Sequence, residues 1–102
     1  MKTLALAFLL FALNYVFSQD ITGTWHGLLD FGQKLRLDIH ISKSGETYSG
    51  KLDSPDQGAK DIPATKVEFN NNTLIFEVKN LGVSYSGNLK SDSIDGTFKQ
   101  GG

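Results

Sequence analysis

Residues Gln33–Ile41 read QKLRLDIHI, and the alternation in that stretch decides the fold. Leu35, Leu37, Ile39 and Ile41 fall on one side, and Lys34, Arg36, Asp38 and His40 on the other. Successive side chains of a strand point to opposite faces, so this period of two predicts a strand with one buried and one wet face. The same reading extends outward. ITGTWHGLL puts Ile21, Gly23, Trp25, Gly27 and Leu29 on one face, and SKSGE, with Gly45, then marks a turn after the decisive strand. TYSGKLD follows with Tyr48, Gly50 and Leu52 together.

The stretch SPDQGAKDIP, with two prolines and a glycine, predicts an ordered loop rather than a strand. Beyond it come TKVEFN, an Asn-rich turn at Asn70–Asn72, TLIFEVK, a turn at Asn80–Gly82, VSYSGNLK and IDGTFK. The expectation is an all-β domain: an antiparallel up-and-down meander of about seven strands. An apolar face on every strand and no helical partner favour curling into a small barrel, with a two-sheet sandwich as the alternative. YSGKLDS recurs as YSGNLKS, and GTWHG is answered by GTFKQG. Glycine beside an aromatic in mid-strand suits a curved sheet, because the ring covers the space the glycine leaves.

The chain opens MKTLALAFLLFALNYVFSQ: a basic start at Lys2, an apolar run from Leu4 to Phe17, and small Ser18 at a plausible cleavage point. This is the pattern of a secretory signal, and the run is short for a membrane span; an uncleaved anchor is the rival reading. Met1–Ser18 is therefore set apart from the fold. Residues 19–102 are expected to be a single β-domain, secreted or periplasmic, without a stable membrane anchor. Loss of Lys2 takes the basic count from 10 to 9 against 11 acids, a net charge near −2 with no basic stripe, which argues against nucleic acid as a partner. The absence of cysteine excludes a thiol nucleophile, a disulfide framework and a cysteine-based metal site.

Candidate chemistry is sparse. GVSYSG, Gly82–Gly87, misses the strained nucleophile elbow because Ser86 stands where its second glycine belongs, and it lies on a strand. His26 and His40 fall opposite their strands' apolar faces and are expected at the surface. Asp53, Asp56 and Asp61 crowd one segment, but their spacing fits no calcium loop and Lys60 sits among them. No cofactor or metal is expected. Two groups remain. Asp53, Asp56, Gln57 and Lys60 form a candidate docking loop, its prolines limiting the entropy lost on ordering; a plain connection is the alternative. Trp25, Tyr48, Phe69, Phe76, Tyr85 and Phe98 share the apolar face and either fill the interior or line a cavity for a small apolar ligand.

The stretches GTWHG, YSGKLDSPDQGAKDIP, LIFEVKNLGVSYSGNL and IDGTFKQGG resemble the amino-terminal β-domain found ahead of secreted bacterial α/β-hydrolases of the serine aminopeptidase or esterase kind. The resemblance implies a non-catalytic accessory domain followed by a final strand, a linker and a carboxy-terminal hydrolase domain. It transfers no catalytic residue to this chain. It also implies that the sheet, which ends in SIDGTFKQGG, lacks its closing strand within these residues. Gly23-Thr24-Trp25 is similar to the short motif of lipocalins, which fits a freestanding carrier of a small hydrophobic ligand as the second expectation.

Overall fold

The computed structural model describes residues 7–12 and 20–101. It is all-β. The strands are β1 (Ala7–Ala12), β2 (Gly23–Asp30), β3 (Lys34–Ser44), β4 (Thr47–Ser54), β5 (Ala59–Pro63), β6 (Lys66–Asn70), β7 (Thr73–Val78), β8 (Val83–Lys90) and β9 (Ser93–Gln100). They run antiparallel in the order β5-β4-β3-β2-β1-β9-β8-β7-β6. That order divides into two four-stranded meanders, β2–β5 and β6–β9, with β1 between their inner edges. The outer edges, β5 and β6, share no ladder among the described residues, so the sheet is not a closed barrel. Where the chain crosses between them, the Ala64 N–H donates to Gly50 O at 2.8 Å and the Thr65 N–H to Glu77 O at 2.7 Å.

The alternation read from the sequence is the alternation of burial. Trp25, Leu29, Leu37, Ile39, Ile41 and Leu52 from the first meander meet Leu74, Phe76, Val78, Val83, Tyr85, Ile94 and Phe98 from the second in one core. Trp25 is fully buried and its indole N–H donates to Ile21 O at 2.9 Å, which lets a polar group enter the core satisfied. At the Asn-rich turn Asn71 and Asn72 take φ of 53° and 64°, the pair of left-handed residues that a tight hairpin between twisted strands requires.

One expectation is corrected. Eight strands follow residue 20 rather than seven, because Ala59–Pro63 is a strand where a loop was read. It pairs with β4 as Lys51↔Pro63, Leu52↔Ile62 and Ser54↔Ala59, with a register shift between Leu52 and Ser54. Pro63 is tolerated because β5 is an edge strand, and Asp61 at φ 57° breaks the alternation that would have betrayed it. The gap between the first and last strands of the domain, expected to be open in residues 19–102 alone, is occupied in the whole chain. Ala7–Ala12 lies there, paired with β9 from Ala7↔Phe98 to Ala12↔Ser93 and with β2 at Phe11↔Gly27 and Ala12↔His26. The rest of the signal reading, residues 1–6 and 13–18, lies outside the described residues.

Candidate functional site

The outer face of β2, β3 and β4 carries the densest polar chemistry. The β3–β4 turn sets a register that places His40 opposite Lys51 and Asp38 opposite Asp53, while β2 brings Thr24 opposite His40 and His26 opposite Asp38. His40 therefore reaches both neighbours. Its Nε2 lies 2.8 Å from Asp53 Oδ2 and its Nδ1 3.0 Å from Thr24 Oγ1. Asp53 is an ionised acceptor, so Nε2 carries a proton toward it, and Nδ1 faces the Thr24 hydroxyl. Beside it His26 Nδ1 is 2.8 Å from Asp38 Oδ1.

Asp53 is fixed from its other oxygen as well: the Asp61 N–H donates to Oδ1 at 2.7 Å. That backbone bond first, and His40 second, hold the Asp53 carboxyl below the usual carboxylate range. His40 and Asp53 face a cleft of about 520 Å³ that also touches Ser42, Lys51, Lys60 and Asp61. Thr24 lies on the far side of His40 from that cleft, on β2. The hydroxyl–imidazole–carboxylate line thus does not present its hydroxyl to the cleft, and works as a clamp joining β2, β3 and the β4–β5 bulge.

The candidate docking loop is held just as firmly. After Ser54 the chain makes a 3-10 turn, Pro55–Gln57, and leaves it through Gly58 at φ 69°. The ladder with β4 has ended here, so Arg36 on β3 pairs with Leu28 of β2 on one side and has no strand on the other. Asp56 takes that place. Its Oδ2 accepts the Arg36 backbone N–H at 2.9 Å, and its Oδ1 accepts from the guanidinium at 3.1 Å (Nε) and 2.8 Å (Nη2). The Arg36 side chain is the main reason the Asp56 carboxyl sits below its ordinary range. Ser54, buried, donates its hydroxyl to Gln57 Oε1 at 2.7 Å. Of the four docking-loop residues, Asp53, Asp56 and Gln57 are thus engaged within the domain, and Lys60 lines the cleft. Asp53 and Asp56, turned to His40 and Arg36, are not gathered with Asp61 around a common centre; among the described residues no group of three or more His, Asp or Glu side chains could hold a metal ion.

The aromatics divide. Trp25, Phe76, Tyr85 and Phe98 are buried, and the space among Leu37, Ile39, Leu52 and these last three amounts to about 10 Å³, barely enough for one water. Tyr48 and Phe69 are half-buried at the periphery, edge to face at 6.3 Å with an interplanar angle of 84°, and Lys43 Nζ lies 5.1 Å from the Tyr48 ring. A second cavity, about 250 Å³, opens at the end where β2 turns into β3 and β7 into β8, bordered by Leu35, Leu52, Ile62, Leu81, Val83 and Phe98. The exposed large apolar side chains Leu28, Phe31 and Leu81 lie at this same end.

Sequence reasoning missed the His40–Asp53 and Arg36–Asp56 pairs. The first was within reach: counting back from the Gly45–Glu46 turn sets Asp53 opposite Asp38, two residues along the same face from His40. The second depends on the chain folding back at Pro55 onto β3, and the loop signal of Pro55 and Gly58 does not say which strand the loop meets. No protein-family model matches this chain, and neither a curated protein nor a solved structure matches it.

Proposed function

We propose that residues 19–102 form a non-catalytic accessory domain of a secreted serine α/β-hydrolase, released into the periplasm or medium after loss of Met1–Ser18. The domain docks through the end that carries Leu28, Phe31, Leu81 and the Pro55–Gln57 turn. The observation that carries this reading is the meeting, at one end of the sheet, of exposed apolar side chains with a loop already immobilised by Asp56 and Arg36. Such a surface offers apolar area at little further cost in ordering. The resemblance of DSPDQGAKDIP and IDGTFKQGG to the hydrolase-associated β-domain supplies the partner. We further read the two meanders as a small lipocalin-like up-and-down barrel that, once Met1–Ser18 is lost, lacks its closing strand.

The first test is the intact mass of the native secreted product, detected with an antibody to this domain. A product tens of kilodaltons heavier than the domain supports the reading, and a product of the domain's own mass overturns it. Leu81→Asp in the long form should then weaken docking of the two domains while leaving the β-domain folded. Equal docking would remove the apolar end from the argument.

The cavity bordered by Leu35 and Leu81 favours a second reading, a carrier of a small hydrophobic ligand. Its volume of about 250 Å³ falls below the roughly 300–1,000 Å³ of ordinary ligand pockets, which places it behind the first. A panel of fatty acids followed by Trp25 fluorescence separates the two. A saturable response supports the carrier, and a flat one across the panel rejects it.

A further inference from the structure

The gap between β2 and β9 is a place where two strand edges face one another. Each hydrogen-bonds to β1, and neighbouring strands lie about 4.8 Å apart, so β2 and β9 stand roughly twice that distance from each other. They cannot bond directly across the gap. Removing Ala7–Ala12 therefore leaves two rows of unpaired backbone N–H and C=O groups rather than a seam that heals. The walls are specific. Trp25, Leu29, Ile94 and Phe98 are buried on the inner side of the two flanking strands, while His26, Asp95 and Lys99 lie outward. A strand seated here must be apolar at every second residue and carry no charge at those positions. The polarity is also set, since both ladders are antiparallel.

We propose that this gap is a strand-acceptor site. Once the leader is cleaved, it takes an extended segment of a partner chain, apolar at alternate residues and antiparallel to both edges, in the place that Ala7–Ala12 holds before cleavage. The occupant's chemistry follows from the strand the chain itself seats there: AFLLFA, uncharged, in a six-residue ladder with β9. Leader removal is then the event that opens the site, so the inference rests on the leader reading given above. It names the class of partner: an apolar β-strand gained by strand addition, where backbone bonds give affinity and alternate side chains give specificity.

The test begins with the full 102-residue chain, made without export so that Met1 is retained, and with a protease sequence placed in the connection between residues 13 and 19. After cutting, size-exclusion chromatography asks whether the amino-terminal fragment stays with the body. A labelled synthetic peptide of residues 7–12 with lysine ends is then offered. Retention of the fragment and its exchange for one peptide per body support the site, as does peptide-dependent rescue of a body that has precipitated. A peptide carrying Leu9→Pro and Leu10→Pro, which removes ladder donors of either register, should compete at least tenfold less well. Equal competition by that peptide, a body that stays folded and monomeric without taking up peptide, or precipitation that peptide does not prevent would each overturn it. Amino-terminal sequencing of the exported protein separates the two readings: a product that still begins at Met1 keeps Ala7–Ala12 in the gap and overturns both the leader and the acceptor site, whereas a product that begins near residue 19 but takes up no peptide overturns the acceptor site alone.

Discussion

Gly87 and Gly96 face each other across β8 and β9, and Tyr85 lies over the pair. A Cβ built on Gly96 would stand 2.5 Å from the Tyr85 hydroxyl and 2.6 Å from Gly87 Cα, and closer still to Ser86 O. Two of those three atoms are backbone, so relief requires β8 and β9 to part. A Cβ on Gly87 would meet Ile94 Cγ2 and the Tyr85 hydroxyl, each at 2.7 Å, with Asp95 O at 3.0 Å. Here the nearest obstacles are side chains. Overpacking typically costs about 1–3 kcal/mol, and Gly→Ala returns roughly 0.4–1 kcal/mol by narrowing the unfolded ensemble. Gly96→Ala should therefore destabilise by about 2 kcal/mol, which in a domain of this size lowers Tm by roughly 8–16 °C. Gly87→Ala should cost about half as much. Tyr85→Phe, which removes the hydroxyl donating to Ile94 O at 3.3 Å, should cost about 1 kcal/mol alone. Urea unfolding followed by Trp25, the single tryptophan, supplies the double-mutant cycle. Tyr85→Phe should partly rescue Gly87→Ala, with a coupling near 1 kcal/mol, and rescue Gly96→Ala far less. A Gly96→Ala variant as stable as the parent, or a Gly87 cycle additive within about 0.3–0.5 kcal/mol, would refute the claim that the tyrosine occupies the glycines' space.

Asp53 and Asp56 both have depressed carboxyl values in the folded state, so the stability they lend is present above the ordinary carboxyl value of 3.8 and is lost as pH falls through the folded value. Hydrogen exchange of the Asp61 and Arg36 amides should thus quicken on acidification below about pH 4 relative to other strand amides, and Asp53→Asn and Asp56→Asn should remove that step at their respective amides. Asp56→Ala at neutral pH should expose residues 55–58 to proteolysis while the rest of the sheet keeps its protection; an uncut loop would show that the Arg36 contacts are ornamental. Tyr85 is pushed upward, mainly by burial and secondarily by Asp95, so folding favours the neutral phenol and that contribution is lost as pH rises above the ordinary value of 10. An alkaline absorbance titration of the parent minus Tyr85→Phe should show the Tyr85 step only together with unfolding. A separate step in the still-folded protein would contradict the burial argument.

The strand faces were legible because burial in a two-faced sheet is a local property. From Trp25 to Phe98 a residue's parity within its strand predicts its side, and the glycine–aromatic echoes marked where Tyr85 would cover Gly87 and Gly96. The reading failed where two principles overlapped: Pro55, Gly58 and Pro63 announce a loop, yet the segment between them bonds to β4 as soon as an edge without a partner is available. The polar site was half legible. His40 and Asp53 could be brought together by counting register, whereas Asp56 reaches Arg36 only because the chain reverses at Pro55.

By itself, then, the amino-acid order determined the all-β class, the buried face of nearly every strand and the positions of the turns, since period-two alternation and left-handed turn residues act over a few neighbours. Tertiary structure alone decided that Ala59–Pro63 is a strand, that Asp53 and Asp56 hold the sheet's own residues, and that Ala7–Ala12 lies between β2 and β9. Those three outcomes depend on which backbone edges are left unpaired once the strands have assembled. An unpaired edge is a property of the assembled sheet rather than of any segment within it.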